Sequence, residues 1–344
     1  MPRCKVAECT IAIDGRCLEG RPGYCANLLP DDEQEIVSPP PLELAGLSDS
    51  RILPVSPTEP LWSGAQLEIS EAREFTENAR TMVVALAGMI ECGKTSLLAR
   101  IHQLFQSGPV AGYDFAGSRT LFRFEEINWL ATVESGVGTP KMEHTSQQYD
   151  NSFLHMRVRS KSAVTEPIDL LMNDISGETY PEVIISQSAC EHLLCLQRAD
   201  HLAVLVDGAA IANRDLRHDH CTKAANFVQR LLQVGRIGSE TALHLIITKL
   251  DELHKDGQEA ENLEAAADLE SGFEEQFGNC VAQIHKWRLA ARPTDGSLPT
   301  EEVIADLFAA WVGSSYRYKY SPVPPLDPAC IGRDFSRFGA EVRS

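Results

Sequence analysis

The stretch Met82-Val83-Val84-Ala85-Leu86-Ala87-Gly88-Met89-Ile90-Glu91-Cys92-Gly93-Lys94-Thr95-Ser96 decides how the rest of the chain is read. Met82 to Ala87 is an unbroken apolar run, which suits a strand buried on both faces. Gly88 ends it. Beyond Lys94, Leu97, Leu98, Ile101, Leu104 and Phe105 recur at helical spacing. Between the two, Gly88 to Thr95 fits G-x-x-x-x-G-K-[ST]. The backbone amides of residues 89–95 can wrap a phosphate, and the positive end of the following helix points the same way. Gly88, Ile90, Glu91, Cys92, Gly93, Lys94, Thr95 and Ser96 are therefore candidate nucleotide-binding positions. Lys94 supplies a charge between the outer phosphates, and Thr95 offers a hydroxyl to Mg²⁺. A chance match in a Gly-containing loop is the alternative, but this match sits between a buried strand and an amphipathic helix, as the chemistry requires.

Working outward, a short helix is expected from about Ser70 to Arg80. Downstream, strands are expected at 152–159, 168–173, 202–206, 242–247 and 287–291. Helices are expected near 185–196, 222–234, 263–277 and 301–311, with Thr300 as N-cap of the last. Alternating strands and helices imply an α/β fold of three layers, with helices on both faces of a mostly parallel sheet. The count is six strands, the tight pair within 152–173 adding one antiparallel edge strand.

Two further motifs stand at strand ends. Asp174-Ile175-Ser176-Gly177 follows the expected strand 168–173. A carboxylate there can hold Mg²⁺, and Gly177 can turn its N–H toward a terminal phosphate, so the loop can report whether that phosphate is present. Read alone, it is an ordinary Asp-Gly turn. Thr248-Lys249-Leu250-Asp251 ends the strand 242–247. The Asp251 carboxylate can accept from both the ring N–H and the exocyclic amine of guanine, donors that adenine lacks at those places. The aliphatic stem of Lys249 can lie across the purine face. A charged strand end is the plainer reading.

In this order, the three motifs resemble those of a Ras-like P-loop GTPase of the translation-factor-related (TRAFAC) class. Thr248 to Asp251 is similar to its Asn/Thr-Lys-x-Asp motif and Asp174 to Gly177 to its Asp-x-x-Gly switch motif. Ala290-Ala291-Arg292 stands where that family carries a weak Ser-Ala-Lys motif touching the base, which makes Ala291 and Arg292 candidates. More narrowly, Phe115-Ala116-Gly117-Ser118-Arg119-Thr120-Leu121 and Phe124-Glu125-Glu126, with an N-terminal Cys cluster, resemble bacterial double-GTPase (DO-GTPase) proteins of conflict or defence systems. The resemblance implies GTP hydrolysis to GDP with Mg²⁺, a switch controlling a partner protein or complex, and a dimer with itself or another GTPase. It implies Lys94, Gly177 and a first-switch Thr as catalytic groups, with Thr95, Asp174 and that Thr on Mg²⁺. Thr145 and Thr139 are the candidates, Thr145 the better spaced. Glu178 stands where the family has a water-orienting Gln, and the Ile90 side chain occupies a phosphate-loop position that is often Gly. Both imply slow hydrolysis without a partner. A non-hydrolysing guanine-nucleotide sensor and a P-loop ATPase are the competing functions.

Composition bounds the rest. The chain has 344 residues, 43% apolar and 23% charged, as in a folded soluble protein. Its net charge of −18 disfavours nucleic acid as a partner. No apolar run approaches the roughly 18 residues of a membrane span, and the first residues carry no signal-peptide core, so a cytoplasmic protein is expected. Four of the ten cysteines, Cys4, Cys9, Cys17 and Cys25, fall in the first 25 residues. Four thiolates can hold one structural Zn²⁺, and a segment this short needs such a staple to fold; a tail with free thiols is the alternative. His218-Asp219-His220-Cys221 could also chelate, though a solvated loop fits better, and Cys190 and Cys195 read as core residues. The expected organisation is a Cys-rich module at 1–28, a Pro-rich acidic linker at 29–64, a G domain at 65–317 and an extended tail at 318–344.

Overall fold

The computed structural model describes residues 3–4, 28–29, 64–130, 147–162, 166–255, 257–292 and 300–313. The chain divides into two compact units, 1–60 and 61–344. In the first, strands β1 (Arg3–Cys4) and β2 (Leu28–Leu29) pair antiparallel. Cys9, Cys17 and Cys25 lie outside the described residues, as do Thr139, Thr145 and the tail.

The second unit is built on a seven-stranded sheet. Its strands are β3 (Thr81–Gly88), β4 (Tyr113–Gly117), β5 (Leu154–Ser160), β6 (Ile168–Asp174), β7 (His201–Asp207), β8 (Ala242–Thr248) and β9 (Gln283–Arg288). Their order is β4-β5-β6-β3-β7-β8-β9. All neighbours pair parallel except β4/β5 and β5/β6, so β5 alone runs against the rest.

Every residue of β3 is buried, because helices cover both faces. Val83, Ala85 and Ala87 face a layer holding Phe227, Val228 and Leu231 of α7 (Arg214–Val234) and Phe273 and Phe277 of α9 (Glu259–Phe277). Met82, Val84 and Leu86 face the other layer. It holds Leu97, Leu98 and Ile101 of α2 (Lys94–Ser107) and Ile304, Phe308 and Trp311 of α10 (Thr300–Gly313). Each fully buried side chain of this size contributes about 1.5–3 kcal/mol. The other helices among the described residues are α1 (Ile69–Asn78), α3 (Leu121–Leu130), α4 (Thr179–Ile185), α5 (Gln187–His192), α6 (Gly208–Ala212) and α8 (Leu250–Leu253).

The three-layer α/β expectation matches this architecture, with corrections. Among the described residues the main sheet has seven strands rather than six, and the reversed strand β5 is not the edge. The edge is β4, whose five residues are half-buried or exposed and so lack the apolar run that marked the others. β9 ends at Arg288, so Ala290 to Arg292 follow the strand instead of closing it. The helix expected near 185–196 is three pieces, α4, α5 and a 3₁₀ turn at Leu194–Arg198. α7 starts earlier and absorbs His218–Cys221, and Thr300 is the first helical residue, not a cap. Cys190 and Cys195 are buried. Among the described residues no group of three His, Cys, Asp or Glu is placed to hold a metal, and no helix is long and apolar enough to cross a membrane.

Candidate functional site

The carboxyl ends of β3, β6, β7 and β8 converge on one rim, where loops lead into helices. β3 delivers the loop Met89–Gly93, and α2 begins at Lys94. Gly93 has φ of +92°, a conformation that L side chains rarely adopt, so the turn into the helix needs glycine here. Lys94 is buried. Its ammonium donates to the carbonyl oxygens of Gly88 (2.9 Å) and Met89 (3.2 Å) and lies 3.9 Å from Cys92 Sγ. Burial pushes the Cys92 thiol up, with the Lys94 charge pulling the other way, and the net shift keeps it protonated. Among the described residues Lys94 therefore has neutral acceptors and no ion pair. A buried cation in that state is incomplete, and an anion in the loop would complete it.

β6 ends at Asp174 beside this loop. Thr95 Oγ1 donates to Asp174 Oδ2 at 2.8 Å, which puts two hard oxygen donors together at the helix start. That donor set fits Mg²⁺, which prefers oxygen ligands and keeps several waters. The loop after Asp174 then crosses the phosphate loop. A Cβ on Gly177 would lie 2.6 Å from Ile90 N and 2.7 Å from Ile90 Cα, so only glycine allows this approach. Glu178 is exposed, just ahead of α4, and its N–H donates to Ser176 Oγ at 3.2 Å. Ile90 is half exposed.

β8 ends at Thr248. Its hydroxyl is 2.8 Å from the Cys92 carbonyl and 3.3 Å from that of Val206, tying the phosphate loop to the neighbouring strand ends. Lys249 follows with φ of +48° and ψ of +50°, a left-handed residue that is not glycine. Its ammonium pairs with Asp207 Oδ2 at 2.7 Å, and Asp207 Oδ1 accepts from Ala209 N at 2.9 Å. A pocket of about 270 Å³ opens here between Glu91, Gly93 and Ser96 on one side and Thr248, Lys249, Asp251 and Glu252 on the other, closed by Ala290, Ala291 and Arg292. Gly93 and Ser96 thus line a cavity continuous with the phosphate loop.

The structure brings Gly88 to Ser96, Asp174, Gly177, Thr248, Lys249, Asp251, Ala291 and Arg292 to one rim. Two residues that sequence reasoning passed over support these loops without lining the base pocket. Asp207 carries the same signal as Asp174, a carboxylate closing a buried strand. Asp150 carries none in sequence: it is buried, and its side chain accepts from Ser176 N at 2.6 Å and from the Thr179 hydroxyl. Burial pushes its pKa up, opposed by those two hydrogen bonds, for a net rise.

A mostly parallel sheet with this loop at the end of its central strand is the architecture of a P-loop nucleotide-binding protein. The chain belongs to the Double-GTPase 2 family, whose model matches residues 82–312. No curated protein matches. Among solved structures, the signal recognition particle receptor SRb-GTP/SRX complex from Chaetomium thermophilum is 18% identical with a TM-score of 0.38, over 67% of this chain and 97% of that one. Elongation factor SelB from Methanococcus maripaludis with a GTP analogue is 11% identical with a TM-score of 0.34, over 68% and 34%. Sup35 with GMPPNP is 13% identical with a TM-score of 0.29, over 64% and 40%. Family membership makes the chain a GTP-binding, GTP-hydrolysing protein in general terms, with GTP or GDP and Mg²⁺ as ligands.

Proposed function

We propose that this protein is a slow GTP-hydrolysing switch that controls a partner protein or complex of a bacterial conflict or defence system. The observation that carries the nucleotide site is the buried Lys94 ammonium, held by two carbonyls in a loop of amides with no counter-ion among the described residues. In this reading Lys94 and the amides of 89–95 hold the phosphates. Thr95 and Asp174, with Thr145 or Thr139, hold Mg²⁺, which supplies charge neutralisation on the phosphates. Gly177 responds to the terminal phosphate from its seat against Ile90. Asp251 pairs with guanine, Lys249 lies on its face, and Ala291 and Arg292 close the base pocket.

Slow turnover follows from Glu178, an exposed carboxylate in place of an amide that orients water. On the scale of unassisted GTPases the purified chain should turn over at about 10⁻⁴ to 10⁻² per second. The four N-terminal cysteines are proposed to bind one structural Zn²⁺, a reading supported by their number and by their falling within the first 25 residues. Displacement of a fluorescent GDP analogue by GTP and by ATP tests the central claim. GTP should compete at least about 100-fold better than ATP. Equal competition would overturn the guanine reading in favour of an ATPase.

A further inference from the structure

We propose that Asp150 is a positioning residue that latches the Asp174–Gly177 loop to the stretch of chain ahead of β5, so that both segments answer to the terminal phosphate together. The inference rests on the nucleotide reading above and adds to it a residue and a linkage that no motif contains.

The geometry is a convergence. Asp150 Oδ1 accepts from the backbone N–H of Ser176 at 2.6 Å, and Oδ2 accepts from the hydroxyl of Thr179, the first residue of α4. The carbonyl of Asp150 accepts from Asn173 Nδ2 at 2.8 Å, on the strand that ends at Asp174. Three donors from β6, its loop and α4 thus meet one residue. The neighbour repeats the arrangement one element on. Asn151 Nδ2 donates to the His192 carbonyl at 2.9 Å, and Asn151 Oδ1 accepts from Cys195 N at 3.2 Å.

The chemistry explains an aspartate here. Ser176 is fully buried, so its N–H needs an acceptor inside the protein. Thr179 presents a second donor from the other side. A carboxylate can accept both at once, and charge assistance shortens the bonds. Gly177 is the next residue after Ser176, and its backbone sits against Ile90 with no room for a side chain. Pinning the Ser176 nitrogen therefore pins Gly177 against the phosphate loop. A shift of the chain at Asp150 moves the Ser176 nitrogen, and with it the N–H that would meet the terminal phosphate. Among the described residues Asp150 makes no hydrogen bond to the phosphate loop and does not line the base pocket, so its contribution should be confined to telling GTP from GDP.

The test is titration of the full-length protein with GDP and with a non-hydrolysable GTP analogue, both with Mg²⁺. Wild type is compared with Asp150→Ala, Thr179→Val and Asp150→Asn. Asp150→Ala should leave GDP affinity within about threefold and weaken the GTP analogue by about tenfold or more. Thr179→Val, which loses one bond and keeps its shape, should move the ratio the same way by a smaller amount. Asp150→Asn can still accept from Ser176 and can donate to the Thr179 hydroxyl, so it should return the ratio to within about threefold of wild type. An unchanged ratio in both Asp150→Ala and Thr179→Val overturns the latch while leaving the nucleotide site intact. Equal weakening of GDP and analogue also overturns it, since that is general damage. If Asp150→Ala does not fold, Thr179→Val decides. A wild type that binds neither nucleotide overturns the nucleotide reading itself, and the latch with it.

Discussion

At the residue scale, the base pocket rests on two carboxylates with different work. Asp251 faces the pocket directly. Asp251→Asn should weaken GDP by about 2–4 kcal/mol, because a charged pair of hydrogen bonds becomes neutral and mispaired. Preference should shift toward xanthine nucleotides, whose carbonyl complements the new amide. Competition between GDP and XDP reads this, and unchanged GDP affinity would remove Asp251 from base recognition. Asp207 acts through Lys249, holding its ammonium at 2.7 Å while the backbone of that residue sits in the left-handed region. The pair is partly exposed, so its value is modest. Asp207→Asn should cost about 1 kcal/mol of affinity for GDP and GTP alike. A selective loss of GTP would instead place Asp207 with the phosphate-sensing residues.

At the element scale, β7, β8 and β9 are joined by a chain of rings. Trp287 Nε1 can only donate, so at 3.1 Å it makes His244 Nδ1 an acceptor. His244 Nε2 then carries the proton and donates to His201 Nδ1 at 3.0 Å, and His201 bonds the Trp311 backbone in α10. Both histidines are fully buried. Burial holds His201 down at about 4 and His244 well below its ordinary range. The sign follows from linkage. Between pH 6.5 and 4 the unfolded chain binds protons that the folded chain refuses, so stability falls as pH falls through that window. Each such histidine contributes up to about 1.4 kcal/mol per pH unit. Urea unfolding at several pH values should show this slope. His201→Asn should flatten it, even though the variant is less stable at neutral pH. A slope unchanged by His201→Asn would assign the acid sensitivity to the carboxylates instead.

At the scale of the whole molecule, the chain separates into units 1–60 and 61–344. The second contains every residue of the candidate nucleotide site. Deleting residues 1–60 should therefore leave GDP affinity and thermal stability of the remainder within about 1 kcal/mol of the intact protein. If the four cysteines hold a metal, elemental analysis of protein purified under reducing conditions without a metal-affinity tag should find about one zinc per chain, lost with the deletion. Zinc retained by the deleted protein would place it elsewhere.

The run Met82–Lys94 was legible because its physics is local. A strand buried on both faces must be apolar throughout, and a phosphate loop must pair its glycines with a helix start within a few residues. The same logic reached Asp174 and Thr248–Asp251, which stand where apolar strands stop. β4 was hidden because an edge strand of exposed residues carries no apolar signature, and without it β5 seemed to be the edge. Asp207 closes an apolar strand as Asp174 does, but its pairing with Lys249 was hidden, as were Asp150 and the paired histidines, for a different reason. Their partners lie far away in sequence, Ser176 and Thr179 for Asp150, Lys249 for Asp207, His201 with His244 for the last. Period and spacing describe neighbours along the chain. Which buried donor meets which acceptor is decided only when the strands take their order in the sheet, since every buried polar group must then find its partner across space.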